Sequence, residues 1–463
     1  MTTTQQRFKF YLILILLSGV GLALALPILA KAHASASFDR LSPSAAEKIV
    51  YVAKSGDGSF GNTWTQAFTN VQAAIDVAFS GDQIYVATGI YTPGLNQGDS
   101  LQLKAGVAIY GGFDPESGID QFGERDWLAY PTILSGDIDG DDTNSQGVVL
   151  TTSHIVGGNN YHVVTADGTS TPITDTTLLD GFTITAGKAN GGDVPDNRGG
   201  GYYCDGSGSG GECSPTLRNV TFSGNYAQYG GGFYSNGPSG GISKPSLVDV
   251  TFSGNSADGS GGAMFNNGNL GESNPNLNYV TFIGNSAGFH GGAIRNYGQN
   301  GISSPNLRGV TFSGNRAVYG GAMSNQGSLG ASNPSLEDVI FSRNSADEDG
   351  GAMFNRASNG TSNPTLTNVV FIGNSADSKG GAMYTDGELG ISSPMLTNVI
   401  FAGNSAGALG GAMFNSDPNG NSTPKLVNAT FSGNAAQLGG ALYNNYYKGN
   451  SALSLDNIIL WGN

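Results

Sequence analysis

The sequence predicts an all-β protein, a single-stranded parallel β-helix (solenoid) of about 30 residues per coil with a short capping helix near its N-terminus. Three observations carry this. One unit is written eight times between about residue 215 and residue 444, with its phenylalanine at Phe222, Phe252, Phe282, Phe312, Phe341, Phe371, Phe401 and Phe431, steps of 29 or 30 residues. Such a fixed period decides architecture before any local reading. Inside a copy the apolar residues follow a period of two: Val280 and Phe282 share one parity, and Gly292, Ile294 and Asn296 share another. Finally, two or three Gly-rich breaks interrupt every copy and none holds a helical apolar run, which excludes the helical repeat families.

Each position of the unit has a physical reason. A Pro opens it (Pro245, Pro334, Pro394), a Leu follows two residues on (Leu247, Leu336, Leu396), then Val or Ala, then Phe. In a stack of coils spaced by about 4.8 Å these become apolar columns, and eight coils make a rod roughly 38 Å long. An Asn stands three residues after each Phe, at Asn225, Asn255, Asn285, Asn315, Asn344, Asn374, Asn404 and Asn434. Its amide can bond to the same residue in the coils on both sides, so this column is expected to be a structural ladder at an interior corner. Gly-Gly comes next, at a corner where a Cβ would clash. Then come Met, Ile or Leu and usually a second Asn, and most copies close on N-x-x-x-x-G-x-S-x-P, as at Gly271 and Ser273.

The tetrads Phe282-Ile283-Gly284-Asn285 and Gly291-Gly292-Ala293-Ile294, alternating at constant spacing through eight copies, resemble the repeat of the polymorphic outer membrane protein family. Most copies carry Met in place of the Ile, and the resemblance spans about half the chain. It implies a bacterial surface β-helix. A membership of the autotransporter kind would also imply a C-terminal membrane barrel, and no alternating lipid-facing strands follow the repeats.

From the start of the chain, residues 1–34 read as an export signal: Arg7 and Lys9, an apolar run from Phe10 to Ala30, and the small-residue sites Ala30-Lys31-Ala32 and Ala32-His33-Ala34. A retained membrane anchor is the alternative, against which Pro27 and the Ala-rich tail speak. Residues 35–48 form a linker, residues 49–200 a cap with irregular coils, and residues 201–463 the regular repeats. Phe68, Val71, Ala74, Ile75 and Ala78 lie at helical spacing, and an amphipathic helix here would cover the open edge of the first coil. Trp64 and Phe68 are then packing residues rather than a sugar platform. Gly81, Asp82, Ile84, Tyr85, Val86, Ala87, Gly89 and Tyr91 resemble the opening of secreted bacterial pectin-lyase-like proteins, which implies a right-handed coil and one continuous rod. Leu455, Ile458, Leu460 and Asn463 repeat the Leu, Val, Phe and Asn columns, so the sequence stops in mid-coil: either more of the coil lies downstream, or the open edge serves end-to-end association.

The formal charge of −15 with only 12% charged residues makes a weakly charged acidic surface. That excludes nucleic acid and anionic membranes as partners, since both need clustered Lys and Arg; contact with a membrane is expected only through the N-terminal signal or a further anchor. Cys204 and Cys213 bracket a Gly-rich loop and, in an exported chain, are expected to form a disulfide. Asp137, Asp139, Asp141 and Asp142 could converge on Ca²⁺, with a solvated acidic turn as the alternative; an EF-hand fails because Asp142 stands where Gly is needed and Val148 where Glu is needed. The acids Asp258, Asp347, Glu348, Asp349 and Asp377 beside the Gly-Gly corner read as one loose column, a solubilising ridge or a weak calcium site.

Lyases and hydrolases of pectin-lyase-like fold need several carboxylates, or carboxylates and a base, on one exposed strand face. The outward positions that can be assigned hold Thr, Ser, Tyr or a lone Arg295, with no convergent charged set, and His33, His154, His162 and His290 are scattered. The irregular region 114–200, with Glu124, Arg125, Asp126 and Arg198, remains open to an active site. The pairs just before Gly-Gly differ between coils (Gln228-Tyr229, Gly259-Ser260, Phe289-His290, Val318-Tyr319, Ser378-Lys379), as in solenoids that build long binding faces. These observations point to an exported or cell-surface β-helix that offers an extended surface for adhesion to a glycan or protein. A polysaccharide lyase or hydrolase of the same fold and a plain structural spacer are the alternatives.

Overall fold

The structure, a computed structural model, describes residues 48–445 and 451–463. The signal (1–34) and the linker up to residue 47 lie outside the described residues. The rest winds into a parallel β-helix whose three long sheets have 22, 8 and 11 strands among the described residues. The first sheet takes two short strands from each coil, such as Asn276–Asn278 and Thr281–Ile283; the second takes Ser286–Ala287 and the third Ile294–Tyr297.

Like pairs with like across coils. Leu217 is in register with Leu247, Phe222 with Phe252 and Met264 with Ile294. The phenylalanine rings from Phe222 to Phe431 lie 4.6–4.9 Å apart and within 7° of parallel, all fully buried. The spacing of the stack is therefore that of the strands themselves. The irregular coils join the same columns earlier: Leu179 pairs with Leu217 and Ile184 with Phe222.

Corners are set by residue type. Between the two strands of the first sheet the chain takes one left-handed step, at Asn219, Asp249, Asp338, Asn368, Asn398 and Asn428, with φ between 52° and 56°. Asn and Asp tolerate that region; Tyr279, with φ 57°, is the aromatic exception. The two glycines of Gly-Gly serve different ends. Gly291 has φ +64°, whereas a Cβ on Gly292 would lie 2.2 Å from the carbonyl oxygen of Gly321 in the next coil.

The asparagine column is a saturated ladder. The Asn255 Oδ1 accepts from both the backbone N–H and the Nδ2 of Asn225, while its Nδ2 donates forward to Asn285 Oδ1 and back to the Phe222 carbonyl, all at 3.0 Å. The pattern continues to Asn463, which accepts from Asn434 in the same two ways. Every amide hydrogen and lone pair is thereby used in a dry interior, where an orphan would cost about 1–3 kcal/mol.

A second interior ladder runs Asn266–Asn296–Asn325–Asn355, with amide bonds of 2.7 Å. It breaks at Thr385, which takes the next rung. The Asn355 Nδ2 and the Thr385 Oγ1 are both buried without a partner. In the first regular coil Cys204 occupies this same column, in register with Ser235, and is bonded to Cys213. One coil later Ser235 and Ser243 make the corresponding link as a hydroxyl pair at 2.7 Å. The disulfide is thus a covalent version of a link within one coil that the next coil makes with a hydrogen bond.

The helix Val71–Val77 is capped by Asn70, whose side chain accepts from the Gln72 and Ala73 amides, and buries Val71, Ala74 and Ile75. Trp64 packs its ring 4.7 Å from Tyr51 and 5.5 Å from Phe113. At the other end, Leu455 pairs with Leu426 and Leu460 with Phe431, so the columns hold through the last strand, Ser454–Trp461.

Replacing Thr385 by Asn should complete the second ladder. We expect Thr385→Asn to raise stability by about 1–2 kcal/mol in urea unfolding, since it gives partners to two buried polar groups; a loss of stability would show that the rung is too small for the amide.

Candidate functional site

The acidic turn brings Asp137, Asp141 and Asp142 oxygens within 4.8 Å of one another, whereas Asp139 lies outside that group. Most of this carboxylate capacity is already engaged by the chain. Asp137 accepts from the Gly140 amide at 2.8 Å, Asp139 from Gly158 at 3.0 Å, and Asp142 from the Val156 amide and the Asn159 side chain at 2.6 and 2.8 Å. The Gly158 amide holds Asp139 below the usual carboxylate range; burial pushes Asp142 above it, against the pull of the Val156 amide. These bonds tie the turn to the segment 156–159.

The polar residues of region 114–200 do not converge. Arg125 and Asp180 form a buried ion pair at 2.8 Å, with the guanidinium about 5 Å from the rings of Tyr110, Phe122 and Trp127. Asp126 caps the following turn through the Leu128 and Ala129 amides, Glu124 accepts from the Gln121 amide, and Arg198 lies over Tyr234. Glu124, Arg125, Asp126 and Asp180 are thus committed locally, whereas the Arg198 Nε is buried without a hydrogen-bond partner.

The acids near the Gly-Gly corner split into different columns rather than one. Asp258 accepts from the Tyr226 hydroxyl and Asp347 pairs with Arg316 at 2.8 Å, both at exposed positions. Asp349 belongs instead to the column Ser260–His290–Tyr319–Asp349–Lys379, directly before Gly-Gly. The variable pairs are likewise half committed. Their second members, such as Tyr229, His290 and Tyr319, pack against the third sheet, with Tyr229 5.6 Å from Phe265 and Tyr319 5.3 Å from Phe354.

That sheet carries the set that the sequence reading missed. Its strands alternate, Met or Ile and Asn pointing in, the residues between them out. The first outward column reads Tyr203, Tyr234, Phe265, Arg295, Ser324, Phe354, Tyr384, Phe414. The second continues from Tyr297 through Gln326 and Arg356 to Asp386. Far from a lone Arg295, the outward positions hold a convergent charged group. Arg356 donates to Glu388 through Nε at 2.9 Å and through Nη2, and its Nε lies 3.9 Å from Asp386. Reading parity outward from Asn355 and Thr385 would have found Arg356 and Asp386 one coil apart.

A groove of about 300 Å³ opens here. It is lined by the rings of Phe289, Tyr319, Phe354 and Tyr384, by His290, and by the charged Asp349, Arg356 and Asp386. Ser324 marks the break beside it. It puts a small residue in a column of large rings, and His290 comes within 5.9 Å of Phe354, two coils on. Arg295, on the rung before, is buried and satisfied by Ser324 at 2.6 Å and by Gln326, with no carboxylate; burial brings its guanidinium down to about 9. Burial, reinforced by Arg295 and Arg356, lowers His290 to about 2, so the imidazole is neutral. Burial raises Asp349, and raises Asp386 to about 6 against the pull of Arg356. His290 Nδ1 and Asp349 Oδ1 are buried and without a protein partner.

The sequence pattern of the Chlamydia polymorphic membrane protein repeat matches residues 249–263 and 368–386, the second stretch ending on Asp386. The chain thus carries repeats of that type on a parallel β-helix. No curated protein matches. Among solved structures, a lacto-N-biosidase from Eubacterium ramulus is similar at 12% identity and TM-score 0.48, over 89% of this chain and 67% of its own. A polygalacturonase from Erwinia carotovora matches at 12% identity and TM-score 0.32, over 92% of this chain and 98% of its own. At these scores the likeness says nothing of chemistry.

Asp386 gives a pH signature with a definite sign. Its folded pKa lies above its ordinary 3.8, so the stability it contributes is fully present below about pH 4 and is lost as pH rises through about 6. Asp386→Asn should remove that loss, gaining on the order of 1–3 kcal/mol at pH 8 and little at pH 4; an unchanged pH profile in urea unfolding would contradict the burial of this carboxyl.

Proposed function

We propose that this protein is a surface-displayed β-helix that binds a partner outside the cell through the side of its coils, at the groove around Arg356 and Asp386. The observation that carries the reading is local. Of the buried side-chain polar atoms that lack a partner among the described residues, His290 Nδ1 and Asp349 Oδ1 are the two that belong to residues lining this solvent-facing groove, with nothing of the protein's own to bond. Polymorphic membrane protein repeats and the export signal read in residues 1–34 support a location at the cell surface or outside the cell. Adhesion is a role that suits a rigid rod with a built groove on its flank. Among the described residues no helix is long and apolar enough to cross a membrane.

One observation favours a second reading, a polysaccharide lyase or hydrolase: a carboxyl raised to about 6 in an open groove is protonated at mildly acidic pH and suits a general acid. The two are separated by offering the mature chain a panel of polyuronates and neutral polysaccharides, with and without Ca²⁺, alongside a glycan and host-protein array. The adhesive reading expects retention on the array and no new unsaturated or reducing ends. Product formation abolished by Asp386→Asn would replace it with the enzymatic one, and a silent array with no product would leave only a spacer.

A further inference from the structure

The groove's chemistry narrows the class of its ligand, and the step rests on the groove being the binding site. We infer that it seats one pyranose ring of an uncharged saccharide, with an aromatic ring under the sugar's C–H face and the polar side chains on its hydroxyls.

Size is the first argument. At about 300 Å³ the groove lies at the small end of ligand sites, room for one ring rather than an extended polymer segment or a peptide helix. The second is shape and polarity. Phe289 is half exposed, and its ring stands at 78° and 83° to those of His290 and Tyr319, 4.5 and 5.6 Å away. Phe354 and Tyr384 stack behind at 4.9 Å. Flat π-faces beside polar groups fit a molecule that is itself two-faced, with axial C–H bonds on one side and hydroxyls around its edge.

Charge is the third argument. Arg356 is already paired with Glu388, and Asp386 lies close beside it. A carboxylate or sulfate entering the groove would meet Asp349 and Asp386; an ammonium would meet Arg356 with the unpaired Arg295 behind it. With Lys379 acting on Asp349, the three acids Asp349, Asp386 and Glu388 are matched by the three bases Lys379, Arg356 and Arg295, so neither sign of ligand finds a surplus of the opposite sign, and an uncompensated charge in a partly dry site is costly. A hydroxyl both donates and accepts, so it can serve an acid and a guanidinium alike. The fourth argument is the pair of buried atoms without a partner, His290 Nδ1 and Asp349 Oδ1, which ring hydroxyls would satisfy.

The test is calorimetric titration of the full chain with maltotetraose, cellotetraose, β-galactotetraose and chitotetraose, with tetragalacturonate as the acidic arm. At least one neutral probe is expected to bind, Phe289→Ala and Asp386→Asn each to weaken it about tenfold or more, and Asp377→Asn, exposed and outside the groove, to leave it unchanged. Phe289 is half exposed and Asp386→Asn relieves a buried charge, so both variants should fold, which circular dichroism checks. Binding of tetragalacturonate alone, or of no probe at millimolar concentration, overturns the inference. A protein ligand from the array lost in Phe289→Ala without saccharide binding would keep the groove and overturn the sugar. Saccharide binding indifferent to both substitutions would overturn the inference and the groove reading together.

Discussion

Each residue of a parallel β-helix must be satisfied by its own counterpart one strand spacing away. That single constraint explains the composition. An aromatic ring can stack on its copy at the strand spacing, which the Phe222–Phe431 column does within a few degrees. An asparagine can do so by using its amide in both directions, which leaves no lone pair unused at Asn255. A carboxylate column would repel itself inside, so the repeated interior columns are Leu, Val, Phe, Met, Asn and Ser, and the buried charges, such as Asp180 and Arg295, stand singly outside those columns. The low charge content is a consequence of how much of the chain is ladder.

The same constraint makes exceptions informative. Thr385 in an asparagine ladder and Cys204 and Cys213 in the first regular coil are variations inside the core. Arg295 and Ser324 are variations on its outside, and they matter more. They replace two rings of an exterior aromatic column, and next to that break the following coils wall a recess with Phe354, Tyr384, Arg356 and Asp386. The site is thus not an insertion grafted on the rod. It is two successive coils failing to repeat, on a scaffold whose rigidity keeps the recess open.

The fold was legible because repetition multiplies a weak local signal. The parity of Val280 and Phe282, the eight asparagines and the helix at Val71–Val77 each followed from spacing and chemistry alone. The corner glycines were read correctly as demanded by the backbone, but the division of labour between Gly291 and Gly292 depends on the next coil's carbonyl, which no single copy contains. The site was less legible for the same reason. Arg356 and Asp386 are 30 residues apart in the chain and become neighbours only through the register of the third sheet. The variable pairs were legible as part of a binding face, but the burial of Asp349 and His290 depends on rings from other coils, such as Phe354 against His290, which no single copy contains.

Amide hydrogen exchange in Asn344→Ala tests the ladder most directly, because the backbone N–H and the Nδ2 of Asn315 both donate to the Asn344 side-chain oxygen. If interior side chains hold the coils in register, the Asn315 amide and its neighbours on both adjoining coils lose protection by a factor of about ten to a hundred, as removal of a buried partner at about 1–3 kcal/mol requires. Unchanged protection at Asn315, with the strands intact, would mean that backbone pairing alone holds the stack and that the asparagine column is incidental.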